Sequence, residues 1–491
     1  MQPVIDAHVA ICRSKGEGIL IDREVFVNTT VAQMYHKCAI MKRIFPGQQL
    51  VWGKHDVHRA YNRLAYLPEA SLLMTILINP TTVFVPVAPG FGWLGTPYVY
   101  NIPTQYFHFR HCQRISALKL VDPATERPIV DCGATYIDDG MVVGPVALVT
   151  VELEQASACI RSTFSSDPNA VNSMKTVMQP RAVRLGVLSD IDTEMAAPCW
   201  KAYLKLCYAF YHSIPYRIVG ARLTVRQLQS LAGLSLRYSR YIHLLRQCAF
   251  SMFRCIRGHR NKNTLITLSV RVTHDILLWR TVLKSAYFDA RLLQTPFNNV
   301  IYNDAEFMHT ASNNADLCVF CDAASTPNAI GIFIPGVAYL SYVWPHPSSE
   351  PIATFELLGA VLAYFMAVSL CPCRHIHVYI DNQNAIACAT GRCRSDNQFA
   401  LHLVTLNCYL QALHPHTVQT RSYVNTQDNP VADGISRLRF NNPLLAGLPR
   451  YELSEQLADF LIALSSSSPV VPFQTLLTQH TLALGGSFLR I

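Results

Sequence analysis

The chain has 491 residues, of which 50% are apolar and 15% are charged, so it can bury large cores and is not expected to be dominated by disorder. This length predicts two to four domains. Lys and Arg number 41 against 32 Asp and Glu, and the net charge of +9 is compatible with a polyanionic partner, although it also suits many basic enzymes.

Two features of the sequence indicate where the chain resides. Its 16 cysteines form no compact framework, and the opening MQPVIDAHVA lacks a charged stretch followed by an apolar run. Both favour a reducing, intracellular compartment. The almost wholly apolar run from Leu357 to Cys371 is shorter than the roughly 20 residues that a bilayer requires. We therefore expect a buried core helix there and no association with a membrane.

The first predicted elements surround an aspartate. An apolar approach ends at Asp56 and is followed by helical spacing, which predicts a strand, a carboxylate and a helix in succession. Between 72 and 100 the sequence predicts two strands joined by a turn at Asn79-Pro80. A glycine-rich segment then leads into a helix that is expected to begin near Pro97.

The stretch ATYIDDG places two adjacent carboxylates, Asp138 and Asp139, between β-forming residues, which predicts the tip of a hairpin. Like charges side by side repel, so a positive partner is expected nearby. With Asp56, these aspartates offer three hard oxygen ligands of the kind that Mg²⁺ prefers. An isolated Asp-Asp pair is more often a solvated turn, so the metal site depends on the neighbouring motifs.

Leucines at helical spacing alternate with arginines from 223 to 256, which predicts helices with a basic outer face. A solvated helix surface without a ligand is the alternative interpretation. The Asn-rich stretch 297–315 is predicted to be a linker.

The following part of the chain predicts an α/β unit with its own core. Strands are expected over 317–345, a helix over 355–371, a strand over 375–381 and a helix over 382–390. Four acids mark this unit, and they are Asp322, Glu356, Asp381 and Asp433. Taken singly, Glu356 is an ordinary charge at a helix N-terminus and Asp433 an ordinary cap. Together, the four are poorly explained as separate surface features.

The segment ATYIDDG resembles the YxDD motif of reverse transcriptases, and KHDVHRAY resembles the motif that carries their first catalytic aspartate. The resemblance implies that Asp56, Asp138 and Asp139 are catalytic residues and metal ligands. It also implies that Tyr61 excludes a 2′-hydroxyl from the nucleotide site.

Three further segments follow in the order of that family. FGWLGTP, with Phe91 and Gly92, is similar to the glycine-rich motif that contacts template and nucleotide. NSMKT resembles the motif whose lysine, here Lys175, lies near the phosphates of the incoming nucleotide. RLGV at 184–187 resembles the hairpin that grips the primer. Five motifs in family order make chance agreement remote.

The acids Asp322, Glu356, Asp381 and Asp433 resemble the Asp-Glu-Asp-Asp site of ribonuclease H. This resemblance implies that all four are catalytic metal ligands for cleavage of RNA in RNA·DNA hybrids. Over roughly 50–440, order and content resemble the polymerases of DIRS-type and related retroelements and, more distantly, the hepadnaviral polymerase.

The resemblance implies a multidomain α+β and α/β architecture. A right-hand polymerase with a palm, partial fingers and a helical thumb or connection would be followed by a ribonuclease H-like α/β domain. The expected boundaries are 1–200 for fingers and palm, 201–315 for thumb and connection, 316–440 for the ribonuclease H-like domain and 441–491 for a tail or linker.

An RNA-directed DNA polymerase, which is a nucleotidyltransferase, with hybrid-specific endonuclease activity is therefore the expected enzyme. Each active site would use two Mg²⁺ ions, with Mn²⁺ as a substitute. The expected partners are an RNA template, a DNA primer, an RNA·DNA hybrid and dNTPs. The life cycle of such elements implies the cytoplasm, the nucleus or both.

Two alternatives stay open. A catalytically impaired or domesticated retroelement fragment would bind nucleic acid without catalysis, and the short segment before Asp56 favours it. The basic residues there that could hold a triphosphate are Arg13, Lys15, Lys37, Lys42 and Arg43. A host ribonuclease H fused to an unrelated domain would leave ATYIDDG, FGWLGTP and NSMKT unexplained. The presence of all seven acids favours an enzyme, because clustered carboxylates repel one another without metal.

Overall fold

The structure is a computed structural model that divides into two compact units, Met1–Glu194 and Met195–Ile491. The predicted ranges 201–315 and 316–440 fall in the same unit. The residues that the structure describes are 30–58, 60, 76–79, 82–84, 95–136, 139–164, 167–239, 241, 245, 248–302, 307, 313, 315–345, 350–371, 373–389, 397–414, 417–466 and 488–490.

The N-terminal unit mixes helices and short strands. Its helices are α1 (Val31–Ile44), α2 (Gly95–Ala117) and α3 (Val146–Thr163). Its strands are β1 (Leu50–Asp56), β2 (Ile76–Asn79), β3 (Thr82–Phe84), β4 (Gly133–Tyr136), β5 (Asp139–Pro145), β6 (Val177–Gln179), β7 (Arg181–Arg184) and β8 (Val187–Asp190). The predicted strand ending at Asp56, the pair of strands within 72–100 and the helix after them are all present.

Four strands of this unit form one antiparallel sheet in the order β4-β5-β1-β6. Helix α3 packs on β1 and β5, while α1 packs on β4 and β5. Residues 50–53 of β1 and 140–145 of β5 are buried in unbroken runs, as is typical of a strand covered on both faces, and the core includes the fully buried Trp52. The capping box of Thr30 and Gln33 fixes the start of α1.

The C-terminal unit begins with a largely helical part. Its elements are β9 (Met195–Pro198), α4 (Trp200–Cys207), β10 (Arg222–Thr224), α5 (Val225–Tyr238), α6 (Cys248–Ile256), β11 (Leu265–Thr267), α7 (Val270–Phe288), β12 (Thr295–Pro296) and α8 (Phe297–Tyr302). The prediction of a linker over 297–315 is wrong for its first residues, because Phe297 and Ile301 are buried and form α8.

The rest of this unit is built on a seven-stranded sheet. Its strands are β13 (Leu317–Ser325), β14 (Asn328–Ile334), β15 (Ala338–Val343), β16 (His375–Ile380), β17 (Val418–Tyr423), β18 (Arg450–Leu453) and β19 (Phe488–Arg490). Its helices are α9 (Ile352–Leu370), α10 (Gln383–Ala387), α11 (Gln398–Leu413), α12 (Pro430–Ser436) and α13 (Glu455–Ser466).

The strand order in this sheet is β17-β16-β13-β14-β15-β18-β19. Strands β13, β16 and β17 are parallel, and β14 is antiparallel to β13 and β15. The range 441–491 was expected to be a tail or linker, yet β18 pairs with β15 and α13 packs on α11. Part of that range therefore belongs to the folded unit. Strand β18 extends the sheet, and α13 buries apolar side chains such as Phe460.

Helix α9 is the apolar run that the sequence predicts as a core helix. It is long and apolar enough to cross a membrane by length and composition, but 78% of its most apolar window is buried inside the protein. It packs on β13, β14 and β16 and on helix α11. Such burial is typical of the core helix of an α/β domain.

Candidate functional site

The first acid site lies where β1 meets the ATYIDDG hairpin. Asp56 is the last residue of β1, and its Cα lies directly opposite that of Asp139 in the β1–β5 pair. Tyr136 pairs with Asp139 across β4 and β5, so residues 137–138 connect the two strands. The predicted hairpin is thus confirmed. Asp138 itself lies outside the described residues, and only the backbone of Asp139 is described.

The carboxylate of Asp56 is buried and compensated by neighbouring donors. The ammonium Nζ of Lys175 lies 3.0 Å from Oδ1, and the amide Nδ2 of Asn172 donates to Oδ2 at 3.2 Å. The backbone N–H of Asn172 also donates to the carbonyl of Asp56 at 2.9 Å. Lys175, predicted to contact nucleotide phosphates, is therefore placed beside the first acid, where its charge stabilises a buried carboxylate.

A steric constraint explains why position 140 is a glycine. Gly140 lies opposite His55 in the β1–β5 pair, and a Cβ added there would come within 2.1 Å of the imidazole of His55. Burial lowers the pKa of His55 to about 4, so this ring is neutral at physiological pH. The glycine that closes the DD pair thus makes room for a buried, uncharged histidine beside Asp56.

The other nucleotide-site residues predicted in this unit, Tyr61, Phe91 and Gly92, lie outside the described residues, as do Arg13 and Lys15. The remaining basic candidates are engaged elsewhere. Lys37 pairs with Asp131, Lys42 pairs with Glu194, and Arg43 forms a two-pronged ion pair with Asp122. These three side chains hold α1 to other parts of the unit instead of pointing at Asp56.

The second acid site lies at the C-terminal ends of two neighbouring interior strands of the seven-stranded sheet, β13 and β16. Asp322 is in β13, Asp381 directly follows the parallel neighbour β16, and Glu356 lies in the first turns of α9. One carboxylate oxygen from each of the three lies within 4.8 Å of the others. The ends of parallel strands meet at the same edge of a sheet, which explains why these acids converge.

Buried charge dominates the second site. Glu356 accepts a hydrogen bond from the backbone N–H of Ala323 at 3.0 Å through Oε1, while its Oε2 is buried and has no hydrogen-bond donor among the described residues. Burial, together with the charges of Asp381 and Asp322, raises the pKa of Glu356 to about 10. Burial and the charges of Asp381 and Asp433 raise the pKa of Asp322 to about 7, although a hydrogen bond from Ser436 opposes them. Arg437, which pairs with Asp433, also lies close enough to interact with Asp322 and Asp381, yet the pKa values of Glu356 and Asp322 are raised nonetheless.

Asp433, the fourth predicted acid, stands beside the cluster instead of inside it. It forms an ion pair with Arg437 one helical turn later, at 2.8 Å, and it lies near enough to Asp322 to raise its pKa. Ser436 links the two, because its hydroxyl lies 2.5 Å from Oδ2 of Asp322 and 2.9 Å from the carbonyl of Asp433. Asp433 is thus connected to Asp322 by Ser436, which lies on the same helix, α12.

A glycine in β14 lets α12 approach the sheet. A Cβ on Gly331 would come within 2.4 Å of the carbonyl of Ala432 and 2.5 Å of the backbone N of Ser436. On the opposite face, Gly359 of α9 packs near Ile330 of β14. Helices therefore cover both faces of the sheet, and the acids lie where α9 and α12 converge on β13.

Sequence reasoning missed several residues that shape both sites. Asn172 and His55 border Asp56, while Ser436, Arg437 and Thr426 border the second cluster, where Thr426 donates to Asp381 at 3.0 Å. A sequence signal existed for two of them, since Ser436 and Arg437 lie three and four residues after Asp433 on a predicted helix.

Comparison with known proteins gives a remote structural likeness. No protein-family model matches the chain, and no curated protein matches it in sequence. Among solved structures, the foamy viral protease-reverse transcriptase in complex with an RNA/DNA hybrid aligns at 14% identity with a TM-score of 0.33, covering 78% of this chain and 45% of that chain. The same viral enzyme, in a form designated dRH in complex with double-stranded DNA, gives 14% identity, a TM-score of 0.31 and coverages of 79% and 59%.

The chain therefore spans between 45% and 59% of the length of these viral chains. Both TM-scores are low, so the likeness assigns neither an activity nor a partner to this chain.

Proposed function

We propose that the chain is an RNA-directed DNA polymerase with ribonuclease H activity on RNA·DNA hybrids, derived from a retroelement of the DIRS type or a relative. The observation that carries the proposal is the convergence of Asp322, Glu356 and Asp381, three acids predicted from the sequence to share one site. A buried cluster of repelling carboxylates is costly to a fold unless cations compensate it.

The second acid site fits Mg²⁺ by its donor set. Asp322, Glu356 and Asp381 offer only hard carboxylate oxygens, and Oε2 of Glu356 is buried with no hydrogen-bond donor in the part of the chain that the structure describes. With Mg²⁺ bound, the site would gain Lewis-acid stabilisation of the scissile phosphate and an activated water. Asp433 would join as the fourth ligand once its ion pair with Arg437 opens. The hydroxyl of Ser436 would hold the carboxylate of Asp322 in orientation.

The first acid site would carry DNA synthesis. Asp56, Asp138 and Asp139 would hold the metal ions, and the buried position of Asp56 fixes its carboxylate through Asn172 and Lys175. When a metal ion takes over the compensation of Asp56, the ammonium of Lys175 would be released toward the triphosphate. Its side chain is 59% exposed, so it can move without breaking the core.

Three residues outside the described part of the chain would complete the nucleotide site. Tyr61 would exclude a 2′-hydroxyl, and Phe91 and Gly92 would contact template and nucleotide.

The helices α5 and α6 would contact the backbone of the duplex. Leu228 and Leu231 of α5 are buried, as the sequence predicts, whereas Leu236 is exposed. The exposed arginines are Arg226 and Arg237 on α5, Arg254 on α6, and Arg257 directly after α6. Arginines on a helix surface bind phosphates without reading sequence. The ranges 1–200, 201–315 and 316–440 would then act as fingers and palm, thumb and connection, and ribonuclease H.

A fragment that binds nucleic acid without catalysis is the second candidate. The engagement of Lys37, Lys42 and Arg43 in ion pairs favours it, because these three are the candidates for triphosphate binding before Asp56 that the structure describes. Such a protein would bind hybrids through α5 and α6 and would neither extend a primer nor cut RNA.

Two assays on one preparation separate these functions. With Mg²⁺ and dNTPs, the parent protein should extend a DNA primer on an RNA template and cut the RNA of a labelled hybrid. Asp138→Asn should abolish extension and leave cleavage, while Asp381→Asn should do the reverse. Loss of both activities in both variants would contradict two separate sites. Hybrid binding without either activity in the parent would establish the second candidate.

A further inference from the structure

A cluster of metal-binding side chains lies in the N-terminal unit, apart from both acid sites. His108 and Cys112 are four residues apart on α2, so they share one face of the helix. Asp131 lies in the segment before β4. One donor atom from each of the three lies within 4.8 Å of the other two, and all three residues are partly exposed.

The two distances from His108 to its neighbours in this cluster match those of a tetrahedral zinc site. The Nε2 of His108 lies 3.6 Å from the Sγ of Cys112 and 3.4 Å from the Oδ2 of Asp131. Around zinc, bonds of ~2.05 Å to nitrogen, ~2.3 Å to sulfur and ~2.1 Å to oxygen at the tetrahedral angle give N···S of ~3.6 Å and N···O of ~3.4 Å. The His108 nitrogen thus already lies at tetrahedral ligand separations from both neighbours.

We propose that His108, Cys112 and Asp131 bind a divalent zinc ion. Imidazole, thiolate and carboxylate form a mixed donor set that suits zinc better than Mg²⁺, which prefers oxygen ligands alone. The fourth ligand would be a water molecule. A cavity of about 40 Å³ borders His108 and has room for a water molecule beside that ring, although Cys112 and Asp131 do not line it.

The surroundings hold the carboxylate of Asp131 in place. Its other oxygen, Oδ1, accepts the backbone N–H of Gly133 at 2.7 Å and lies 3.2 Å from Nε2 of His111. His111 is in turn bound to Glu152 at 2.7 Å, which also pairs with Arg114. Partners of this kind orient metal ligands and strengthen metal binding.

The ammonium group of Lys37 would compete with zinc for the carboxylate of Asp131. Its ammonium pairs with Oδ2 of Asp131 and donates to the carbonyl of Gly133 at 2.6 Å. A zinc ion on Oδ2 would displace the first contact and leave the second. Lys37→Met should therefore raise the affinity for zinc, because it removes the competing charge, whereas a cluster that serves only as an ion-pair network would bind no zinc in either protein.

The position of the cluster suggests what zinc does there. Asp131 lies two residues before β4, the strand that leads into the hairpin with Asp138 and Asp139, while His108 and Cys112 belong to α2. A zinc ion would tie α2 to that hairpin and stabilise its placement. Its role would be structural, and it would not take part in either reaction.

Cobalt substitution tests the site in the full chain. Co²⁺ bound to a thiolate gives a charge-transfer band in the near ultraviolet that the carboxylate clusters cannot produce. We expect this band in the parent and in Cys159→Ser, a control cysteine on α3, and its loss in Cys112→Ser. Zinc added in one equivalent should remove it. A band that survives in Cys112→Ser, or its absence in the parent, would overturn the proposal.

A second measurement needs no substitution and so does not depend on the folding of a variant. The parent is treated with a thiol-alkylating reagent with and without zinc, and the modified cysteines are mapped by mass spectrometry. Zinc should slow modification of Cys112 at least ~10-fold and leave Cys159 unchanged, since a zinc-bound thiolate is not free to react. Equal rates at Cys112 with and without zinc would refute the site.

Discussion

The two acid sites differ in how their buried charge is compensated. Asp56 in the N-terminal unit has the ammonium of Lys175 and the amide of Asn172 on its two oxygens. Glu356 in the C-terminal unit has one backbone donor and two acids as neighbours, and its second oxygen is buried without a donor among the residues described. The first site thus places hydrogen-bond donors on its carboxylate before any metal binds, whereas in the second site burial and neighbouring acids favour the protonated form of Glu356.

The largest contrast should come from neutralising one acid in each site. Without metal, Glu356→Gln should stabilise the C-terminal unit at pH 8 by ~2 kcal/mol or more, because one unit of pKa corresponds to ~1.4 kcal/mol. Asp56→Asn should destabilise the N-terminal unit by ~1 kcal/mol, because it weakens the bonds to Lys175 and Asn172. Hydrogen exchange of the amides in α9 and β1 measures both changes. If both substitutions stabilised, or both destabilised, their units, the two sites would not differ in how their carboxyl groups are compensated.

The stabilised variant should also be inactive on hybrids. Glu356→Gln removes a proposed metal ligand, so hybrid cleavage should fall at least ~1000-fold, which corresponds to ~4 kcal/mol of transition-state stabilisation. Primer extension, which we propose for the other unit, serves as the matched control and should change less than ~2-fold, a difference of ~0.4 kcal/mol. A cleavage rate near that of the parent would show that Glu356 is an ordinary buried acid.

The pH dependence of stability should sharpen the same contrast. Burial and neighbouring acids raise the pKa of Glu356 to about 10 and that of Asp322 to about 7. Above about pH 5 the unfolded chain releases these protons while the folded chain keeps them, so metal-free stability should fall as the pH rises toward 9. The slope of the free energy of unfolding against pH is measured for the parent and for Glu356→Gln. The difference between the two slopes is the contribution of the Glu356 carboxyl group. Saturating Mg²⁺ should flatten the parent's slope, and an unchanged slope would argue against metal binding.

Much of the architecture was predictable because its signals are local. The approach to Asp56, the β-forming residues around ATYIDDG and the apolar run of α9 specify their elements from short windows of sequence. The acids of the second site were predictable as a set because their spacing resembles a known motif. Their convergence in space needed the parallel pairing of β13 with β16, which the sequence pattern permits but does not specify.

What could not be predicted depends on contacts between distant segments. The pair of Lys175 with Asp56 joins residues on different elements, and the approach of α12 to Gly331 depends on how a helix packs on a sheet. The proposed zinc ligands show the same limit. His108 and Cys112 share a helical face that the sequence reveals, but Asp131 reaches them only through the fold of the segment before β4.

The smallest expected effect concerns the hydroxyl of Ser436 in the second site. Ser436 donates to Asp322 and lowers its pKa against the effect of burial. Ser436→Ala should therefore raise that pKa further and reduce hybrid cleavage at pH 7 about 10-fold, as expected for the loss of a ~1.4 kcal/mol hydrogen bond to a charged group. The loss of cleavage activity in Ser436→Ala should shrink as the pH rises, because Asp322 then ionises without the hydrogen bond from Ser436. In the control Ser369→Ala the missing hydroxyl bonds a carbonyl of α9 instead, so cleavage should persist at every pH. A pH-independent loss in Ser436→Ala would mean that Ser436 supports only the packing of α12.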